Sequence, residues 1–79
     1  MTEHQAYEKL QSVFDNFFFS GVKVTPDLAA EDVEEWDSLL HMSLVLAIED
    51  EFKVRFKVGE VESSRNVGEL VDLILAKTR

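Results

Sequence analysis

Asp37, Ser38 and His41 place a carboxylate, a hydroxyl and an imidazole within five residues of one another. These are the residue types of a hydrolytic triad, and Ser38 and His41 are spaced to share one face of a helix. Such chemistry also needs a third group that orients the base, an oxyanion hole and a substrate cleft. A chain of 79 residues has little room for a cleft, so we expect no catalytic residues and no enzymatic activity.

The same residues are typical of the beginning of a helix. Asp and Ser are both favoured helix N-caps, and an apolar-rich segment follows Asp37 and Ser38 directly. The unpaired N–H groups and the dipole at a helix N-terminus favour a bound phosphate group. Ser38 is therefore well placed to carry a phosphate that another enzyme attaches.

Acidic residues are concentrated in the middle of the chain. Residues 27–51 contain nine Asp and Glu residues and no Lys or Arg, while the whole chain has a net charge of −8. A calcium-binding EF-hand loop needs glycine at its sixth position, and counting from Asp27 or from Asp32 places aspartate there. We expect no metal site. The cluster is either a solvated acidic face or a surface that steers basic partners.

The composition excludes several classes of function. Because the chain has no cysteine, it cannot supply a thiol nucleophile, a disulfide or a thiolate zinc site. Eight basic residues against sixteen acidic ones argue against nucleic acids and anionic membranes as partners. No apolar segment approaches the roughly 20 residues of a membrane span, and the acidic, polar N-terminus is unlike a secretory signal. We expect a monomeric cytoplasmic protein.

Three segments have the apolar periodicity of amphipathic helices. They are residues 2–18, 38–52 and 66–77. Two of them begin with the spacing of a capping box, Thr2 with Gln5 and Asn66 with Glu69. These local signals predict three helices, each with one apolar face.

The connections between these helices are expected to be mostly irregular. Thr25 and Pro26 suit the beginning of one helical turn. Residues 54–58 alternate apolar and polar side chains, but no other segment offers a partner strand, so we expect an extended linker followed by a short helix at residues 60–63. The predicted fold is all-α, a small four-helix bundle of three longer helices and one short helix, in a single domain of residues 1–79.

The second helix has more apolar surface than one core requires. Its core stripe consists of Leu44, Val45, Ile48 and Phe52. A second apolar arc beside that stripe consists of Leu39, Met42 and Leu46. A helix with so much apolar surface in a small domain is either unusually buried or presents part of that surface to a partner.

Asp37-Ser38-Leu39, together with the apolar and acidic run at residues 44–52, resembles the acyl carrier protein family. In that family an Asp-Ser-Leu motif opens the second helix, which closes with an apolar run, an acidic cluster and Phe. The resemblance covers nearly the whole chain, from a first helix and long loop to a last helix that begins near Asn66.

The resemblance implies a carrier that is modified by other enzymes. Ser38 would hold 4′-phosphopantetheine, which a phosphopantetheinyl transferase takes from coenzyme A, and the thiol of this group would hold an acyl or aminoacyl cargo. Partners would be that transferase and acyl-loading and acyl-using enzymes with basic docking surfaces. The implied recognition residues are Asp37, Leu39, Met42, Leu46, Glu49 and Asp50.

Three positions depart from the carriers of fatty acid synthesis. Leu40 and Ser43 stand where acidic residues are usual, and Trp36 replaces the small residue that commonly precedes the motif. These departures favour a specialised pathway. Asp37 favours an acyl cargo, because peptidyl carriers typically lack this acid, and an aminoacyl or peptidyl carrier is the alternative. An unmodified acidic interaction module of the same fold is another alternative, against which the intact motif argues. For His41, a surface or rim position is preferred over a role near the prosthetic group.

Overall fold

The structure is a computed structural model that describes residues 1–19, 21–57 and 59–78. These residues form three α-helices, α1 (Glu3–Phe17), α2 (Ser38–Phe52) and α3 (Val67–Thr78), and one 3₁₀ turn (Ala30–Asp32). Within the described ranges there is no strand, and no helix is long and apolar enough to cross a membrane. The expected all-α fold is confirmed, and each end of the three longer helices was predicted to within one residue.

The expected capping boxes are present at the start of α1 and, in modified form, of α3. Thr2 accepts a hydrogen bond from the Gln5 N–H at 3.1 Å, and the Gln5 side chain accepts one from the Thr2 N–H at 2.9 Å. Asn66 accepts from the Glu69 N–H at 2.9 Å. The Glu69 carboxylate, however, accepts from the N–H of Arg65 rather than of Asn66. Both helices therefore begin where local side chains pair their first N–H groups.

The short helix lies in a different connection from the one expected. We expected it at residues 60–63, but residues 59–63 form consecutive turns, in which the Ser63 N–H donates to the Gly59 carbonyl at 3.0 Å. The short helical element of the described chain is instead the 3₁₀ turn Ala30–Asp32. Isolated helical turns gain little from local hydrogen bonding, so tertiary contacts decide where one forms.

The segment that begins at Thr25 forms a β-turn rather than the expected helical turn. The Leu28 N–H donates to the Thr25 carbonyl at 3.2 Å and closes this turn. The carbonyl groups of Pro26 and Leu28 accept hydrogen bonds from the N–H groups of Gly68 and Val67, each at 2.8 Å. Since the first N–H groups of a helix have no partner within it, this connection closes the N-terminus of α3.

The apolar core is built from one face of each helix, and α1 packs against both α2 and α3. The largest fully buried side chains are Leu10 and Phe14 of α1, Leu44 and Ile48 of α2, and Val67, Val71 and Ile74 of α3. In α2 the expected core stripe is buried, except that Val45 is half-buried. The face of α2 that carries Leu39 therefore remains outside the core.

The first part of the long connection between α1 and α2 is held to the bundle by one side chain of α1. Gln11 of α1 donates from Nε2 to the Val22 carbonyl and accepts at Oε1 from the Val24 N–H, both at 2.9 Å. Further along the connection Val33 is buried in the core. These contacts determine the path by which the chain reaches the start of α2.

The connection between α2 and α3 begins with a left-handed residue. Lys53 ends α2 with a φ of 57°, and residues 54–57 then continue without regular structure. Val54 is buried in the core, which ties the start of this connection to the bundle. Residues 54–57 form neither a helix nor a strand, whereas Val58 lies outside the described residues, so the extended shape of this linker stays a prediction.

Candidate functional site

Ser38 is the first residue of α2, and its side chain is exposed. The N-cap is Asp37, whose carboxylate accepts a hydrogen bond from the Leu40 N–H at 2.8 Å. Among the residues that the structure describes, the Ser38 hydroxyl makes no hydrogen bond. Because Asp37 caps the helix, Ser38 presents a hydroxyl group to solvent at the positive end of the helix dipole.

His41 lies one turn after Ser38 and is hydrogen-bonded to Trp36. The indole Nε1–H of Trp36 donates to Nδ1 of His41 at 3.0 Å, and the two rings stack with their centroids 6.1 Å apart. An indole N–H can only donate, so Nδ1 is the acceptor and the proton of the neutral imidazole lies on Nε2. The hydrogen bond thus determines both the tautomer and the orientation of the ring.

Nε2 of His41 is buried and makes no hydrogen bond within the described part of the chain. The carboxylate of Glu62 is 3.6 Å away, beyond hydrogen-bond distance. The His41 side chain as a whole is 22% exposed, which places it at the rim of the site. A buried donor without a partner is uncommon in folded proteins and marks a place where another group can bind.

Trp36 is held in place by aromatic side chains from the last turn of α1 and from its C-cap, Phe18. Its ring lies edge-on to Phe14 at 5.3 Å between centroids and tilted against Phe18 at 5.6 Å. Phe14 and Phe18 are themselves 5.2 Å apart and deeply buried. Aromatic pairs at these separations are favourable, so the core supports Trp36, and Trp36 in turn supports His41.

Two cavities meet at this aromatic pair. One, of about 360 Å³, is lined by Ala30, Trp36, Asp37, Ser38, His41, Met42 and Glu62. The other, of about 220 Å³, shares Ala30, Trp36, His41 and Glu62 with it and continues along apolar side chains, among them Leu28, Val61, Val67 and Leu70. Ser38 therefore lines the larger, more open pocket, and Trp36 and His41 line both pockets.

The second apolar arc of α2 is exposed. Leu39, Met42 and Leu46 are 79%, 67% and 66% exposed, respectively. Their spacing of three and four residues puts them on one side of the helix, together with Asp50 one turn further on. Solvent exposure of three large apolar side chains on one helix face is the feature of a surface that docks a partner.

The two acidic residues expected to recognise partners differ in their surroundings. Asp50 is exposed, whereas Glu49 is half-buried and accepts a hydrogen bond from the Phe56 N–H at 2.8 Å. Glu49 therefore holds the connection that follows α2. Asp37 likewise has a structural task as the N-cap. Of the three acidic recognition candidates, Asp50 has the most freely available carboxylate.

The remaining acidic residues do not assemble a metal site in the described chain. No group of three or more His, Asp or Glu side chains is placed to hold an ion among residues 1–19, 21–57 and 59–78. His4 lies near the N-terminus, on the exposed side of α1, and its Nε2 is 3.2 Å from the Glu8 carboxylate. The chemistry of the site therefore depends on Ser38 and its neighbours.

Local sequence rules did not reveal the pairing of Trp36 with His41. In the sequence, Trp36 differs from a family pattern, and His41 is expected to lie at the rim, but nothing relates the two. The hydrogen bond between them crosses the beginning of α2, where neither helical periodicity nor capping rules relate two side chains. The only available signal was the presence of an indole and an imidazole on either side of Ser38.

Comparisons with known proteins agree with this geometry. Residues 23–74 match the family model described as the phosphopantetheine attachment site. The protein named Acyl carrier protein 2 of Ralstonia nicotianae (strain ATCC BAA-1114 / GMI1000) is 28% identical over 75 residues, which cover 94% of this chain and 93% of that protein. The solution NMR structure of holo acyl carrier protein from Geobacter metallireducens is 34% identical, with a TM-score of 0.74 over 96% of this chain and 84% of that one.

Proposed function

Because the chain belongs to the acyl carrier protein family, whose prosthetic group is covalently attached 4′-phosphopantetheine, we propose that Ser38 is the residue that carries this group. The chain is a carrier rather than an enzyme, as are the members of this family. One observation carries the assignment of Ser38. Its hydroxyl is exposed on the first residue of α2 and has no competing hydrogen bond among the described residues.

The surroundings of Ser38 fit a phosphopantetheine group. The N–H groups of Ser38 and Leu39 belong to the first turn of α2, where a helix favours the negative charge of a phosphate. The adjoining cavity gives the rest of the arm room, and Nε2 of His41 offers it an unused donor. When attached, the group supplies a thiol that holds the cargo as a thioester, whereas the chain itself has no cysteine.

We assign partner docking to the exposed face of α2. Leu39, Met42 and Leu46 supply apolar contact area, and Asp50 adds a free carboxylate beside it. Partners would be the phosphopantetheinyl transferase and acyl-loading and acyl-using enzymes that present basic surfaces. Charge steering speeds the encounter, and a small apolar contact lets each enzyme release the carrier.

The finer assignments rest on three departures near the motif. Leu40 packs partly against the core, Ser43 is exposed, and Trp36 joins the aromatic cluster of α1. These departures favour a specialised pathway, and Asp37 favours an acyl cargo. We also propose that residues 1–79 form a single domain that acts as a monomer in the cytoplasm. An aminoacyl or peptidyl carrier is the second candidate, since the same site would accept either thioester.

Modification by a transferase tests the attachment site. The purified chain is incubated with coenzyme A and a broad-specificity phosphopantetheinyl transferase, and its intact mass is measured. The wild-type chain and the Ser43→Ala variant should each gain one phosphopantetheine, because Ser43 is an exposed serine on the same helix but outside the motif. Ser38→Ala should gain none. A wild-type chain that stays unmodified would instead support an acidic interaction module without a prosthetic group.

The cargo can be identified from the chain as it occurs in its own cells. Mass spectrometry of the isolated holo-protein gives the mass of the group released together with the phosphopantetheine. An acyl mass supports the first candidate, and an aminoacyl mass supports the second. The genes encoded beside this one then indicate which pathway supplies that cargo.

A further inference from the structure

Nε2 of His41 is the one buried side-chain nitrogen or oxygen without a hydrogen-bond partner in the described part of the chain. Burial removes this N–H from water, and leaving a donor unpaired costs free energy unless a partner arrives. The ring does not turn to pair this N–H, because its other nitrogen, Nδ1, already accepts a hydrogen bond from the Trp36 indole. The donor is thus held ready rather than turned outward.

A flip of the His41 ring, which would swap the positions of Nδ1 and Nε2, would cost the ring several contacts. Its Nδ1 accepts from the Trp36 indole at 3.0 Å, and the two rings lie nearly parallel, with an angle of 26° between them. Trp36 in turn packs against Phe14 and Phe18. A ring flip would break the hydrogen bond and bring two donors face to face unless the proton also moved from Nε2 to Nδ1. Nε2–H therefore has a fixed place.

His41 lines the pocket that Ser38 also lines. His41 follows Ser38 by three residues in α2, a spacing at which side chains are neighbours on a helix surface. A group attached at Ser38 is tethered beside this donor, and the tether raises its effective concentration there above that of the same group free in dilute solution. An acceptor oxygen on the tethered group is accordingly the natural partner of Nε2–H.

We propose that Nε2–H of His41 donates a hydrogen bond to an amide carbonyl of the phosphopantetheine arm and so positions the arm in the cavity between Ser38 and Glu62. This inference rests on the proposed attachment at Ser38. Pantetheine contains two amide groups, whose carbonyl oxygens are strong acceptors. His41 is then a positioning residue: it does not react, and Trp36 orients it.

Glu62 is the rival partner for this donor. Its Oε1 lies 3.6 Å from Nε2, and its side chain is 64% exposed, so a small rotation would bring it within hydrogen-bond distance. Such a contact exists with or without the prosthetic group. The two possibilities therefore differ in whether attachment of the arm changes the surroundings of Nε2–H.

NMR of the ¹⁵N-labelled chain distinguishes them. Apo-protein is compared with holo-protein made by a transferase and coenzyme A, with complete modification verified by intact mass. In both forms the ring nitrogens of His41 should show the Nε2–H tautomer. Attachment should shift the Nε2–H signal and slow its exchange with water roughly fivefold, as one added hydrogen bond of ordinary net strength would do. The Trp36 indole signal should change little.

Two variants make the test specific. In Glu62→Ala the response of Nε2–H to attachment should persist, since the proposed acceptor is on the arm. In His41→Phe, which keeps a ring stacked on Trp36 but has no donor, the methyl groups of the arm should become more mobile. Loss of the response in Glu62→Ala would overturn the proposal and make Glu62 the partner. A fully modified chain whose His41 signals do not change would overturn it while leaving attachment at Ser38 intact, whereas a chain that gains no mass would overturn both.

Discussion

The carboxylate of Glu49 accepts a 2.8 Å hydrogen bond from the backbone N–H of Phe56. This contact joins the last turn of α2 to the connection that leads towards α3. Asp50, its neighbour in sequence, is exposed. Two adjacent acids that look equivalent in the sequence therefore differ in the structure: Glu49 holds the fold, whereas Asp50 is exposed to solvent.

Substitution should separate these tasks. Glu49→Ala leaves the half-buried Phe56 N–H without its acceptor and should lower the free energy of unfolding by about 1–2 kcal/mol in urea denaturation. Asp50→Ala should change it by less than about 0.5 kcal/mol, because exposed positions without such contacts tolerate substitution. Equal losses in both variants would contradict the structural role of Glu49.

Charge reversal at Asp50 tests the docking surface. Asp50→Lys should slow modification by the transferase at low salt, and the difference from wild type should shrink as salt is added, because screening weakens steering. Helicity measured by circular dichroism should be unchanged. Lys53→Glu is a matched reversal of opposite sign at the end of the same helix and should not slow the reaction. Kinetics that are independent of Asp50 at low salt would remove it from the docking surface.

Substitution of an exposed leucine of α2 should weaken partner binding, whereas substitution of a buried leucine should lower stability. Leu46→Ala, at a side chain that is 66% exposed, should leave the unfolding free energy within about 0.5 kcal/mol of wild type but raise the KM for the carrier in the transferase reaction. Leu44→Ala, at a buried position, should cost about 2–5 kcal/mol of stability. A Leu46→Ala variant with wild-type KM would show that the apolar arc does not touch the transferase.

Gly68→Ala should destabilise the chain although Ala favours helices over Gly by about 1 kcal/mol. An added Cβ would lie 2.9 Å from the Pro26 carbonyl oxygen, which accepts the Gly68 N–H at 2.8 Å. The backbone of the connection would have to shift, so we expect a net loss of about 1–2 kcal/mol in urea denaturation. A gain in stability would show that the connection moves away without cost.

The ion pair of Glu60 with Lys77 should contribute to acid sensitivity. The pKa of Glu60 lies below its ordinary value of 4.5, because its carboxylate accepts the Lys57 N–H and lies 2.9 Å from Nζ of Lys77. A carboxylate with a lowered pKa stabilises the fold above its unfolded-state pKa, and this stabilisation is lost as pH falls through the folded-state pKa. Wild type should therefore be more stable than Glu60→Gln at neutral pH.

Thermal unfolding of both chains from neutral pH down to about pH 3 measures this contribution. The Tm difference between wild type and Glu60→Gln should be constant at neutral pH and should shrink as pH falls below the ordinary pKa of 4.5. A difference that stays constant into acid would mean that it does not arise from ionisation of Glu60, and would contradict the proposed contribution to acid sensitivity.

Much of the fold could be predicted because its signals are local. The periodicity of residues 38–52 is contained in fifteen residues with the N-cap Asp37 directly before them, and α2 has these bounds in the structure. The capping box of Thr2 with Gln5 also needs only neighbours in sequence. The short helix was misplaced because a single turn has too few local interactions, and its position depends on contacts with distant residues.

The sequence alone determined the three helices, the all-α class, the Asp37-Ser38-Leu39 motif and the apolar arc of α2, because each depends on residue types at short spacings. Only the tertiary structure decided that Trp36 orients His41, that Glu49 holds Phe56 and that Pro26 closes the N-terminus of α3. These contacts join segments whose approach is set by packing of the common core, and no short-range pattern encodes such an approach. The surroundings of Ser38, including the free donor of His41, belong to this second class.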